Sequence, residues 1–442
     1  MTAARAHPWD RWAWACAAAF LLLVPVRIPI GPERFNLEAS DCAAIGWLIS
    51  VALAGGWRSP HSRLGGWAGA YLLLMLPAVL HSSDAPRSLV ALAKSAYLMV
   101  LGLALGRWLR PVEAWDRFVR LYATVVGAMI VVALGVWLYA DWSGHVPARL
   151  AVHMLIPNVG DTVRVKATLL TPTLLANYLT MGLPLVVASI AAVSRSRIAT
   201  WLWLWAGVLA TVTTASHSLA GGLVAAAMVA PHGRRAERIA RIGLWTLAAA
   251  TALFALASTT IAVQRVQVAR APASATDPLP LHAVPGQAGG GEDLTIHASY
   301  HWVSYGVLKR IAWDAWRRHP WVGIGPGVFP YEVGVAYAAG RIHYPWADPH
   351  STWLGGMAET GLLGLVGLVW LWVGVFRIAA RARLRSVDRW RVQAPLAGLL
   401  GLLVNSVHVD VMHFRFLWVA VGLVISAASP GHAREHGHGG SA

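Results

Sequence analysis

The chain alternates long apolar runs with short polar connectors. Twelve runs read as candidate membrane helices, at about 11–28, 41–56, 66–81, 88–107, 118–140, 168–192, 199–213, 216–231, 241–263, 352–378, 393–408 and 411–428. A helix needs roughly 20 residues to cross a bilayer, and several of these runs are shorter. The pair at 199–231 is parted only by the patch TTASHS, so it also reads as one broken element. None of the runs shows the alternation of a membrane β-strand. The pattern predicts an all-α polytopic membrane protein with about 12 transmembrane helices. Its parts are an N-terminal bundle of about nine helices (1–263), a large loop between spans nine and ten (264–351), C-terminal helices (352–428) and a disordered tail (429–442).

The large loop has two halves. Residues 264–297 are rich in Pro, Ala and Gly and read as irregular. From Ser299 to His319 aromatic and apolar residues recur near helical spacing, with Lys309, Arg310, Arg317 and Arg318 among them, which predicts an amphipathic helix lying at the membrane surface. Pro320 ends it. A glycine-rich turn follows at 323–329, GIGPGVF, whose amides could receive an anion. YEVGVAYAAG reads as a short helix and RIHYPWADP as an aromatic loop; His350 and Ser351 then open span ten, with Glu359 inside it.

Composition agrees with a membrane setting. Of 442 residues 57% are hydrophobic and 13% charged, with a mean hydropathy of +0.54. A soluble protein carries about 25% charge. The net charge of +16 would suggest nucleic acid in a soluble protein, but here the arginines lie between apolar runs, so no nucleic-acid partner is expected and membrane lipids are. Arg107, Arg110, Arg117 and Arg120, then Arg234, Arg235, Arg238 and Arg241, then Arg377 to Arg391, fall on one side of the bundle. The positive-inside rule makes that side cytoplasmic, with both termini; loops 141–167 and 264–351 then face outward. Arg11–Ile30 reads as the first span because no small-residue cleavage site follows it. Cys16 and Cys42 sit in or beside apolar runs, in no metal or redox spacing.

Six residues from distant parts of the chain share one membrane level in this topology: Arg164, Lys166, His217, Arg310, His350 and Glu359. Arg164 and Lys166 defy the charge bias of the outer side, which suits either snorkelling to headgroups or capture of an anion. His217 reads as an interfacial histidine or as part of a site. Arginines hold diphosphates through forked hydrogen bonds, and a histidine near neutral pKa accepts a proton from an attacking hydroxyl. Pro172 loosens the sixth span and the buried amide of Asn177 needs a partner. Nine helical residues separate Glu359 from His350, roughly two and a half turns, which places it on the opposite face as a structural partner. The outer side carries no HExxH motif, DxD pair or Cys/His cluster, so neither metal nor cofactor is expected.

Three segments carry a family resemblance. RVKATLLTPTLLANYL, TTASHSLAG, and RIAWDAWRRHPWVGIGPGVF followed by PHSTWLGGMAETGLLGL resemble the signature segments of the O-antigen ligase and polymerase superfamily. The resemblance implies a metal-independent, GT-C-like glycosyltransferase in a bacterial inner membrane, with its active site facing the periplasm. It implies that His350 is the catalytic loop histidine and that Arg164 and Arg310 act near the diphosphate. Glu359 matches the glutamate of span ten, with Lys166, His217, Arg317 and Arg318 as substrate-binding candidates. His217 stands where the family usually has arginine, Ser351 where asparagine is frequent, and Thr171-Pro172-Thr173 replaces Asn-Pro-Asn. The favoured expectation is a lipopolysaccharide O-antigen ligase, moving undecaprenyl-diphosphate-linked O-antigen to a sugar hydroxyl of lipid A-core oligosaccharide. An O-antigen polymerase is the alternative, and an O-linked oligosaccharyltransferase a more distant one. An anion transporter is the rival from another class, but such proteins carry internal repeats and this chain shows no convincing one.

Overall fold

The computed structural model describes residues 8–26, 28–30, 37–54, 63–156, 160–194, 196–231, 233–257, 260–269, 295–340, 349–385 and 389–429. Most of them are helical. In chain order the elements are α1 (Pro8–Leu23), β1 (Pro29–Ile30), β2 (Leu37–Glu38), α2 (Ala39–Leu53), α3 (Arg63–His81), α4 (Ala85–Trp108), α5 (Val112–Ser143), β3 (Ala151–Ile156), β4 (Gly160–Val165) and α6 (Pro172–Ser194). There follow α7 (Arg197–Val212), α8 (Leu219–Val229), α9 (Arg235–Ala257), β5 (Thr260–Ala269), β6 (Thr295–Ser304), α10 (Tyr305–Arg318), α11 (Phe329–Ala338), α12 (Thr352–Arg385), α13 (Arg389–Asn405) and α14 (Arg415–Ala427).

Each of the twelve apolar runs contains a helix. Among the described residues five helices, in α3, α4, α5, α6 and α12, are long and apolar enough to cross a membrane, and four more are apolar but shorter. This is the build of a polytopic membrane protein. It is mostly, rather than wholly, helical: β1–β2, β3–β4 and β5–β6 form antiparallel pairs. The expectation of irregular chain from 264 onward is corrected. β5, TIAVQRVQVA, has two short alternating stretches, Ile261/Val263 and Val266/Val268, that change phase at Gln264-Arg265, and it pairs with β6 in full register from Thr260↔Ser304 to Ala269↔Thr295. The helix expected from Ser299 therefore begins at Tyr305. Residues 270–294, the aromatic loop at 341–348 and the C-terminal tail from 430 lie outside the described residues.

Pro172 does not loosen α6. It is the first residue of that helix, where its missing N–H has no partner to lose, and Thr171 accepts a hydrogen bond from Leu174 N–H at 3.2 Å as a cap. Buried polar groups tie the bundle beneath the loop that carries His217. Asn177, fully buried in α6, donates to the Thr173 carbonyl and to Ser218 Oγ, both at 2.8 Å, and accepts from Asn405 Nδ2 of α13 at 2.9 Å. Asn405 Oδ1 in turn accepts from Gly221 N–H of α8 at 3.0 Å. Gly221 and Gly401 make this approach possible, because a Cβ on Gly221 would collide with the Gly401 carbonyl oxygen.

The glycine-rich turn and α12 are built on each other. α12 breaks at Gly361 (φ 63°, ψ −164°), a backbone region open essentially to glycine alone. The break strips helical partners from two carbonyls below it and two N–H groups above it. The chain at 320–325 takes up all four. Ile324 and Gly325 N–H donate to the carbonyls of Ala358 and Glu359 at 3.0 and 2.9 Å. Leu362 and Leu363 N–H donate to the carbonyls of Pro320 and Trp321 at 2.9 and 3.2 Å. A small core closes over this junction: Leu308, Ala312 and Ala315 of α10, one face at helical spacing, pack with Phe329 and Val333 of α11 and Ala358 of α12.

Candidate active site

Three loops, one strand and one helix end deliver polar side chains to a single cluster. β4 brings Arg164, whose Nε donates to the Thr214 carbonyl at 2.8 Å, so the strand end is fixed to the α7–α8 connection. That connection carries His217. The first turn of α10 brings Tyr305 and Lys309. His350 precedes α12, and the α13–α14 loop brings His408.

The contacts run from one to the next. The Tyr305 ring lies between two imidazoles, with centroids 4.2 Å from His350 and 5.7 Å from His217. His217 and His408 are 6.0 Å apart, and Lys309 Nζ lies 3.5 Å from His408 Nδ1. The His350 ring also hydrogen-bonds the backbone of His408. His350 sits outside the helix in a left-handed conformation (φ 51°), which turns it into the cluster, while Ser351 caps α12 by accepting from Leu354 N–H at 3.3 Å.

The electrostatics of the described residues are those of two cations among three imidazoles. Burial pushes His350 down to about 3, helped by the neighbouring His217, Lys309 and His408. Burial, with Arg164 and Lys309 nearby, pushes His217 down to about 4; burial and Lys309 do the same for His408. Burial also lowers Lys309 and Arg164 from their ordinary values. Near neutral pH the three imidazoles are uncharged, so each can accept a proton. An anion brought among them would raise all three.

Of the residues singled out in the sequence, Arg164, His217 and His350 meet here. Lys166 is half-buried one turn beyond Arg164, where its N–H donates to the Leu150 carbonyl at 2.9 Å. Arg310 is exposed, and its neighbour Lys309 occupies the cluster instead. Arg317 is exposed; Arg318 pairs with Glu332 of α11 at 2.5 Å and braces two helices. Glu359 lies in the last turn before the Gly361 break, and its carboxylate accepts from the N–H groups of Phe329, at 3.3 Å, and Gly327. The acceptor that the glycine-rich turn receives is thus the chain's own Glu359 carboxyl group. Sequence reasoning missed Tyr305, Lys309 and His408. Lys309 and Tyr305 were visible as one face of the amphipathic helix, at i and i+4; His408 lay inside what read as a span boundary.

A cavity of about 990 Å³ lies beside the cluster, walled by α3, α4, α12 and α14. Pro349 and Thr352, the residues on either side of His350–Ser351, line it. The six cluster residues are not among its described walls.

The fold and cluster define a helical membrane protein with a polar, proton-accepting, anion-compatible site assembled on loops. Residues 198–369 match the family described as O-antigen ligase. The match covers about two fifths of the chain, and that segment is similar to the family without distinguishing a ligase from a polymerase. The matched segment contains His217, Tyr305, Lys309, His350 and Glu359; Arg164 and His408 lie outside it. No curated protein matched the chain.

Proposed function

We propose that the protein is a membrane glycosyltransferase that transfers undecaprenyl-diphosphate-linked O-antigen to a sugar hydroxyl of lipid A-core oligosaccharide, at the periplasmic face of a bacterial inner membrane. The observation that carries the reading is the convergence of His350 with Arg164, Lys309 and two further imidazoles in one cluster. The acceptor hydroxyl attacks the anomeric carbon and loses its proton to neutral His350. The bond from that carbon to the diphosphate oxygen breaks, and the lipid diphosphate departs with the electron pair. Arg164, Lys309 and the imidazoles of His217 and His408 face the negative charge it gains. His350 then returns its proton to solvent or to the departing phosphate. Fixed cations supply the charge that a metal supplies in other phosphate chemistry, so the reaction is expected to resist chelators.

Purified protein given lipid-linked O-antigen, with and without lipid A-core, tests this. The expected result is a lipid A-core-linked product, lost in His350→Ala and kept in EDTA. Lengthened lipid-linked chains in the absence of the acceptor would establish a polymerase instead. Absence of any covalent product from folded wild-type protein would remove both readings.

A further inference from the structure

The cavity beside the cluster differs from it in charge. Four carboxylates stand in its walls: Glu38, Asp84, Glu359 and Asp410. Arg87, Lys94, His413 and Arg415 stand among them. The carboxylates are held in fixed orientations. Asp84 accepts from Tyr331 OH at 2.8 Å and from Arg87 N–H at 3.0 Å; Asp410 pairs with His413 at 3.1 Å and accepts from Met412 N–H at 3.1 Å; Glu38 pairs with Arg415 at 2.8 Å. At the rim the Tyr331 ring, 48% exposed, stacks under the Arg87 guanidinium at 4.8 Å. Deeper, the lining turns apolar at Met75, Met99 and Leu368, on helices long enough to cross a membrane.

Each of these features selects among ligands. A diphosphate would meet four carboxylates here and none among the described residues of the cluster, so it is better placed beside Arg164, Lys309 and the histidines. Oriented carboxylates that keep spare lone pairs, beside cations and an exposed aromatic face, suit a ligand rich in hydroxyl groups that carries some anionic substituents. The apolar floor suits one that arrives on a lipid. About 990 Å³ holds several sugar rings. Because Pro349 and Thr352 form part of the wall, such a ligand ends beside the His350–Ser351 stretch that the cluster shares.

We propose that this cavity, between α3, α4, α12 and α14, seats the saccharide head of the glycolipid acceptor, so that donor diphosphate and acceptor sugar approach His350 from separate compartments. The assignment rests on the transferase reading for its purpose, and on the cavity chemistry for its ligand. Tyr331, Arg87 and Lys94 grip the saccharide. They play no part in holding the diphosphate.

The test uses the full-length protein in detergent, with lipid A-core lacking O-antigen as the probe. Direct binding is measured first, by titration against intrinsic tryptophan fluorescence, because it requires no turnover. Tyr331→Ala, Arg87→Ala and Lys94→Gln are each expected to weaken that binding about tenfold and to raise the acceptor KM by a similar factor, with the donor KM within twofold of wild type. The first two lie at an exposed rim, so the fold should tolerate them; unchanged thermal melting confirms it. His350→Ala should bind the probe normally and fail to transfer. Unchanged acceptor binding in all three variants overturns the proposal, and so does a rise in donor KM in place of acceptor KM. If wild-type protein binds the probe, loses it in the rim variants and still transfers nothing, the cavity assignment stands and the transferase reading falls.

Discussion

The ring of Tyr305 lies against the imidazole of His350, centroids 4.2 Å apart and planes tilted by 49°. No turn of helix holds His350; its backbone is left-handed and its ring is positioned from outside, by Tyr305 and by the backbone of His408. The aromatic ring is therefore expected to matter more than its hydroxyl. Tyr305→Ala should lower kcat by roughly tenfold to a hundredfold, the cost of a misplaced reacting group, while Tyr305→Phe stays close to wild type. Equal losses in the two variants would assign the role to the hydroxyl.

Lys309 and Arg310 offer a comparison of adjacent cations. Lys309→Met should raise the donor KM about tenfold, in line with roughly 1.5 kcal/mol or more for a charge-assisted hydrogen bond, and Arg310→Met should change it less than twofold. The reverse order would return Arg310 to the site.

The three histidines make stability depend on pH. Burial holds His350, His217 and His408 at about 3, 4 and 4, below the ordinary value of 6.5. Between those values the unfolded chain binds protons that the folded chain does not. Stability is then complete above about 6.5 and falls as pH drops toward 4. Melting of wild type and of His217→Gln across pH 4.5–7.5 checks this: the slope should flatten in the variant. An identical slope would place the pH dependence elsewhere.

Asn177 joins α6, α8 and α13 through one amide. Asn177→Leu leaves Ser218 and Asn405 without that partner in a buried layer, and about 1–3 kcal/mol of stability should be lost for each group left unsatisfied. The melting temperature reports it. An unaltered melt would mean that the two partners re-pair locally.

Gly361→Ala is expected to be severe. A Cβ there collides with the carbonyl of Trp321, and the backbone conformation alone costs on the order of 1–3 kcal/mol outside glycine. Transfer should fall together with folded yield. Normal yield and activity would show that α12 can straighten.

Much of this arrangement was legible because hydropathy and helical period report burial directly. Every apolar run contains a helix, and aromatic and apolar residues at helical spacing marked α10, although Trp302, counted in that pattern, belongs to β6. The strand pairs were harder. In β5 the alternation changes phase partway and sits in a Pro- and Ala-rich neighbourhood that reads as irregular chain. Spacing set Glu359 apart from His350 as a structural partner, and its carboxyl group accepts from the N–H groups of Phe329 and Gly327; the break at Gly361, two residues further on, had no such signal. Lys309 and His408 escaped because a lone cation beside another, or a histidine at a span boundary, gains meaning only when a distant loop is brought against it.

The junction at Gly361 also has a bearing on how the chain is made. Residues 320–325 leave the ribosome before residues 358–363, yet neither segment satisfies its backbone without the other. The first part of α12 can settle only where the preceding turn already waits, on the same side of the bilayer. Apart from each other, the two segments would leave four peptide groups without partners, a cost that rises steeply in an apolar surrounding, so each segment favours the placement of the other.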